Sequence, residues 1–170
     1  LDAESVRDAL LAVSGRLEPR LGGVPVRPWR PTEDATKRLF SGPLDGDGRR
    51  SLYVERSIMA PPAFLAAFNA PAPKISTAKR DVTSVPGQAL ILLNDPFVVA
   101  MADRWAGSLV ADGRSDPAAR IDRMFRDALG RGATDAEIRT WTEALAGFAA
   151  PEAERMADRA AWAALAHALF

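Results

Sequence analysis

"TSVPGQALILLNDPFV", Thr83 to Val98, sets an unbroken apolar run between two prolines and borders it with Gln88, Asn94 and Asp95. Its reading decides the fold class. A short apolar run fits a buried strand as well as a helix, so Ala89 to Leu93 is open by periodicity alone. The flanking residues favour helices. Proline has no N–H, and a first helical turn needs none there, which suits Pro86 and Pro96 to helix starts. Ser84 or Thr83 can cap the first helix, and Gln88 lies near its third position, where an amide reaches back to the entering backbone. Asn94 ends that helix and Asp95 caps the next, along which Phe97, Met101, Trp105 and Leu109 share a face. A polar corner between two helices is expected.

Downstream the pattern is plainly helical. Asp116-Pro117 starts a helix bearing Ile121, Met124, Phe125, Ala128 and Leu129, stopped by Gly130. Thr134 and Glu137 form a capping box ahead of Ile138, Trp141, Leu145 and Phe148. Pro151 is expected to open a last helix with Met156, Trp162, Leu165 and Leu169 inward, running uncapped into the chain end. Upstream, Leu1 to Gly15 reads as a helix capped by Asp2, with Val6, Ala9, Leu10 and Val13 inward and Glu4, Arg7 and Asp8 outward. Pro61 and Pro62 open a short helix carrying Phe64, Leu65 and Phe68.

Between these lies a different kind of chain. Leu17 to Gly48 holds prolines at 19, 25, 28, 31 and 43 and glycines at 22, 23, 42, 46 and 48, which forbid long regular elements. Only Thr32 to Phe40 could form a short helix. Arg50 to Ser57 alternates Leu52 and Val54 with Tyr53 and Glu55, the pattern of a strand. The expectation is a mainly α, irregular multi-helix single domain over residues 1–170, with a minor β-strand element and a long Pro/Gly-rich loop. With no initiator Met, and an uncapped final helix, it reads as a fragment of a larger protein.

Composition excludes several functions. Without cysteine there is no disulfide, thiolate metal site or C-x-x-C-H haem attachment here. Basic and acidic groups balance at 22 each, so charge does not mark a nucleic-acid partner. No apolar run reaches the ~20 residues of a membrane span. No metal or other cofactor is expected within the segment.

Three constellations invite chemistry. His167, the single histidine, sits among alanines and leucine, and reads as a packing or surface residue. Asp45-Gly46-Asp47-Gly48 begins like a calcium loop, but Arg49 and Arg50 follow where acceptors are needed, which favours a glycine turn. The candidate polar cluster is Arg49, Arg50, Tyr53, Arg80, Asp81, Gln88 and Asn94. Arginines with amides can hold a carboxylate, sulfate or sugar hydroxyls; the same groups also satisfy loop carbonyls and helix ends.

Several motifs carry a resemblance. Lys79-Arg80, Thr83, Pro86-Gly87-Gln88-Ala89-Leu90 and Leu92-Leu93-Asn94-Asp95 closely resemble the signature of the planctomycete domain of unknown function 1553 family. Arg49-Arg50-Ser51-Leu52-Tyr53, the stretch Ala128 to Arg131 with Thr134 and Glu137, and Trp162 to Phe170 match in order. Gly132-Ala133 departs where proline is common, and the run usually following Phe170 is missing. The resemblance implies the C-terminal domain of a large exported or periplasmic multidomain protein, beside other domains of the same polypeptide such as a cytochrome c-like one. It carries no catalytic residues across. An accessory or interaction domain is the leading expectation; part of an enzyme acting on polysaccharide, or in a haem-linked redox process, is the alternative.

Overall fold

A computed structural model describes residues 1–81, 83–113, 116–148, 151 and 154–170. Among them are seven α-helices and three 3-10 turns. The fold is mainly α, as expected. Contacts divide the chain into two compact units, the first holding residues 1–12 and 16–97, the second residues 13–15 and 98–170.

The first unit contains α1 (Ala3–Val13) up to Ala12, α2 (Ala63–Ala67) and α3 (Pro86–Asn94), with long irregular connections. Leu10, Leu11, Val54, Phe64, Leu65 and Phe97 are buried there. Phe64 and Phe97 meet edge to face with ring centres 5.6 Å apart, a favoured geometry for aromatic quadrupoles. The inward face of α1 is rotated from the expected one. It runs through Ala3, Arg7, Leu10 and Leu11, while Ala9 is exposed.

The expected strand at Arg50 to Ser57 is not formed. Ser51–Tyr53 is a 3-10 turn, Leu52 is 77% exposed, and Val54 joins Val26 in an isolated parallel bridge. The reason is pairing. A strand needs a neighbour with free backbone groups, and Pro28, the next residue whose N–H would face this side, has none, so pairing stops after a single rung. That rung consists of Val26 N–H to the Tyr53 carbonyl and Glu55 N–H to the Val26 carbonyl, both at 2.8 Å. The short helix expected at Thr32 to Phe40 shrinks to the 3-10 turn Ala35–Lys37, capped by Asp34 rather than Thr32.

The opening stretch folds as two helices. Pro86 begins α3, and Asp95 closes it with its N–H on the Ile91 carbonyl. The Asp95 carboxylate then accepts the Phe97 N–H at 2.8 Å in the first turn of α4 (Pro96–Ala111). Neither Thr83 nor Ser84 takes the N-cap position, which falls to Val85. Gln88 does reach back, accepting the Val85 N–H at 3.4 Å.

The second unit is built from α4 beyond Phe97, α5 (Pro117–Leu129), α6 (Asp135–Phe148) and α7 (Arg159–Leu169). Trp105, Leu109, Ile121, Met124, Leu145 and Trp162 are wholly buried. Full burial of such side chains contributes roughly 1.5–3 kcal/mol each. Phe170 stacks on Trp105 at 5.3 Å, and Phe125 meets Trp141 edge to face. Helix ends follow the sequence closely: Asp116 caps α5, Gly130 ends it at φ 68°, and Thr134 and Glu137 form the capping box. Two expectations shift. The last helix starts at Arg159 behind the Asp158 cap rather than at Pro151, whose carbonyl receives the Glu154 N–H; residues 152 and 153 lie outside the described ones. Leu129 and Phe148, at helix ends, are 49% and 62% exposed.

Candidate functional site

A cleft of about 1190 Å³ in the first unit is lined in part by Arg80, Thr83 and Gln88. Asp2, Asn69 and Asp81 line it as well. Asn69 holds a left-handed φ of 60°, a conformation its short polar side chain tolerates better than most. Its amide donates to the Thr83 hydroxyl at 2.6 Å and the Asp81 carbonyl at 3.4 Å. Gln88 donates to the Ala67 carbonyl at 3.1 Å, tying α3 to the end of α2. Arg80 donates to both Glu4 oxygens, at 2.6 and 3.3 Å, and Arg56 reaches the same carboxylate. Burial works to raise the Glu4 carboxyl, but the two guanidiniums prevail and hold it below its ordinary value.

The remaining candidates do not line that cleft. Arg49 is 2% exposed, with its guanidinium 4.2 Å from the Tyr53 ring centre. Arg50 pairs with Asp8 at 3.2 Å. Asn94 donates to the Leu90 carbonyl within its own helix at 2.8 Å. The seven residues therefore share a unit without forming one constellation. Arg49, Arg50, Tyr53, Arg80, Gln88 and Asn94 each place a side-chain group on a partner within the chain, the arrangement of polar groups that organise loops and helix ends, while Asp81 contributes its backbone carbonyl.

A second cleft of about 610 Å³ has apolar walls, chiefly Trp29, Phe64, Phe97 and Leu44, together with four prolines. Its charged groups are Arg7, Arg27 and Asp95. Arg7 was expected on the outer face of α1 and is instead 7% exposed. Its guanidinium donates to the Arg49 carbonyl at 2.9 Å, the Asp45 carbonyl at 2.7 Å and the Ser51 hydroxyl at 3.3 Å. It also lies 5.2 Å from the Phe97 ring centre. Burial lowers the Arg7 pKa, against the pull of Asp8 and Asp45. Burial likewise raises that of Asp95, opposed by the Phe97 N–H. Arg7 missed recognition because a charge on an apolar face is discounted, yet its spacing from Ala3, Leu10 and Leu11 was the signal.

Asp45 is occupied by Arg16 and by the Asp47 N–H at 3.0 Å, so the calcium-like motif works as a turn clamp. Gly46 packs against the Arg7 guanidinium, where an added Cβ would lie 2.8 Å from it. His167, half-buried, lies in the last turn of α7. Among the described residues no group of three or more His, Asp or Glu side chains is placed to hold a metal, and no helix is long and apolar enough to cross a membrane.

Helices joined by irregular loops whose polar groups bind the chain itself define a mainly helical protein with internal clamps. The chain belongs to PSD1, a protein family of unknown function (DUF1553), whose model matches residues 1–145. The match ends in α6, so Trp162 to Phe170 lies beyond it. No curated protein and no solved structure matches the chain.

Proposed function

We propose that this chain is a non-catalytic interaction domain of a larger exported polypeptide, and that its partner is another domain of that polypeptide. The observation that carries the reading is α3. Its sequence, PGQALILLN, has no charged side chain, yet none of its residues is buried. Leu90 and Leu93 are 59% and 61% exposed, and Val85 at its entrance is 47% exposed. Large apolar side chains exposed on successive turns of one uncharged helix support its reading as a contact face. The helix is also the heart of the family signature, and the same resemblance supports a planctomycete origin, an exported location and a cytochrome c-like domain in the same polypeptide.

The test is hydrogen exchange at residues 86–94, compared between this 170-residue chain and the complete natural polypeptide. Slower exchange in the longer protein, lost again in Leu90→Glu and Leu93→Glu, supports the reading. Equal exchange in the two would overturn it.

A further inference from the structure

A third cleft, of about 750 Å³ in the first unit, has a charge pattern that neither the signature nor α3 explains. Arg27, Arg30, Arg38 and Arg56 line it, against the single acid Glu55. The whole chain is neutral, so this is a local excess. We propose that this cleft is a binding site for an oxyanion: a sulfate, phosphate or carboxylate group carried by a small organic molecule.

The four arginines divide by what they already hold. Arg30 donates to the Ala60 carbonyl at 2.8 Å, and Arg56 pairs with Glu4. Arg27 and Arg38 have no hydrogen-bond acceptor or ion-pair partner for their guanidiniums among the described residues. Lys37, beside Arg38, is different: Asp34 pairs with it at 3.0 Å and leaves its neighbour's charge uncompensated.

Both free guanidiniums are attached to ordered parts. That of Arg27 lies 5.3 Å from the centre of the Phe40 ring, a stacking contact that restricts the direction of its donor fork. Arg38 closes a tight turn. Asp34 and Leu39 exchange two backbone hydrogen bonds, at 2.9 and 2.8 Å, and the Arg38 N–H reaches the Ala35 carbonyl at 3.1 Å. Within this turn Arg38 is left-handed, at φ 55° and ψ 36°, where glycine or asparagine would fit with less strain. Strained backbone retained at a charged, uncompensated residue is the pattern of a position kept for a ligand.

The chemistry follows from the guanidinium. It is planar, remains charged at any physiological pH, and presents paired N–H donors that match two oxygens of a carboxylate, sulfate or phosphate. Two unpaired arginines beside two held ones also concentrate positive potential in a concavity, which draws anions.

The experiment is an amide NMR titration of the 170-residue chain with sulfate, phosphate or acetate, at constant ionic strength set by chloride. Saturable shifts at Arg38, Leu39 and Phe40 are expected, and the anion that saturates first names the group. The methyl ester of sulfate or phosphate then separates an organic ligand from the free ion: equal or tighter binding supports a carried group, and clearly weaker binding overturns that part. Arg27→Gln and Arg38→Asn should each weaken binding about tenfold, the loss of a charge-assisted contact. Asparagine tolerates the left-handed turn, so Arg38→Asn should melt no lower than the parent. Arg104→Gln, an exposed arginine of the second unit, should change nothing. Shifts that never saturate, or an equal loss in Arg104→Gln, would overturn the proposal.

Discussion

The Arg49 guanidinium lies 4.2 Å from the Tyr53 ring centre, and the two side chains grip the same glycine. Arg49 donates to the Gly22 carbonyl, and the Tyr53 hydroxyl accepts the Gly22 N–H at 2.7 Å. A stacked pair thus pins an irregular loop that has no ladder of its own. Tyr53→Phe should lower stability by about 1 kcal/mol, the net worth of one hydrogen bond. Arg49→Lys should also destabilise, by about 1–2 kcal/mol, because an ammonium neither stacks flat nor reaches as a fork. Urea unfolding measures both, and an Arg49→Lys variant as stable as the parent would remove the clamp from the account.

Gly48 and Gly130 separate close approach from conformation alone. Both have positive φ, 72° and 68°. A Cβ on Gly48 would lie 2.1 Å from the Arg16 carbonyl oxygen, whereas one on Gly130 would meet nothing within 4 Å. Gly130→Ala should cost about 1 kcal/mol, the left-handed penalty for an L-residue. Gly48→Ala should cost well over about 2 kcal/mol, since a backbone atom must also move. Equal losses by urea titration would refute this packing.

Acid should loosen the start of α6. The Arg131 fork, with the Thr134 N–H adding to it, holds the Glu137 carboxyl down at about 2 from its ordinary 4.5. A depressed carboxyl stabilises the folded state above its unfolded pKa, and that contribution fades as pH falls from about 4.5 through about 2. The stability gap between the parent and Glu137→Gln should therefore close across that window. A gap independent of pH would be the wrong result.

Asp95 separates cap from charge. Asp95→Ala removes the oxygen that accepts the Phe97 N–H and should cost about 1 kcal/mol. Asp95→Asn keeps an oxygen and removes a charge that burial disfavours. Because the folded pKa is raised, stability from this group is greatest below the ordinary value of 3.8 and falls as pH rises through the raised value. At neutral pH Asp95→Asn should melt at or above the parent. Melting as low as Asp95→Ala would show that the charge itself is needed.

Brief trypsin treatment should cut first at Arg20. This residue is exposed in a segment without helix, and the following Leu21 is 76% exposed. Arg27 and Arg30 each precede proline, which blocks the enzyme. A first cut at Arg123 or Arg126, inside α5, would contradict the layout.

What the sequence determined by itself was local. Asp95-Pro96, Asp116-Pro117, Gly130 and the Thr134–Glu137 box place helix ends because caps and prolines act on backbone groups within four residues. The apolar stripe of α5 likewise names its inward face through Ile121, Met124 and Phe125, though not Leu129. Tertiary structure alone decided the rest. Arg7 is inside because carbonyls of Asp45 and Arg49, some forty residues away, accept its N–H groups. Val54 makes one bridge instead of a strand because its partner segment runs into Pro28, which has no N–H for the next rung. The polar residues of the signature divide between separate clamps, and Arg27 and Arg38 face one cleft, because loop paths between helices are set by distant contacts. No period or spacing in the chain encodes such contacts.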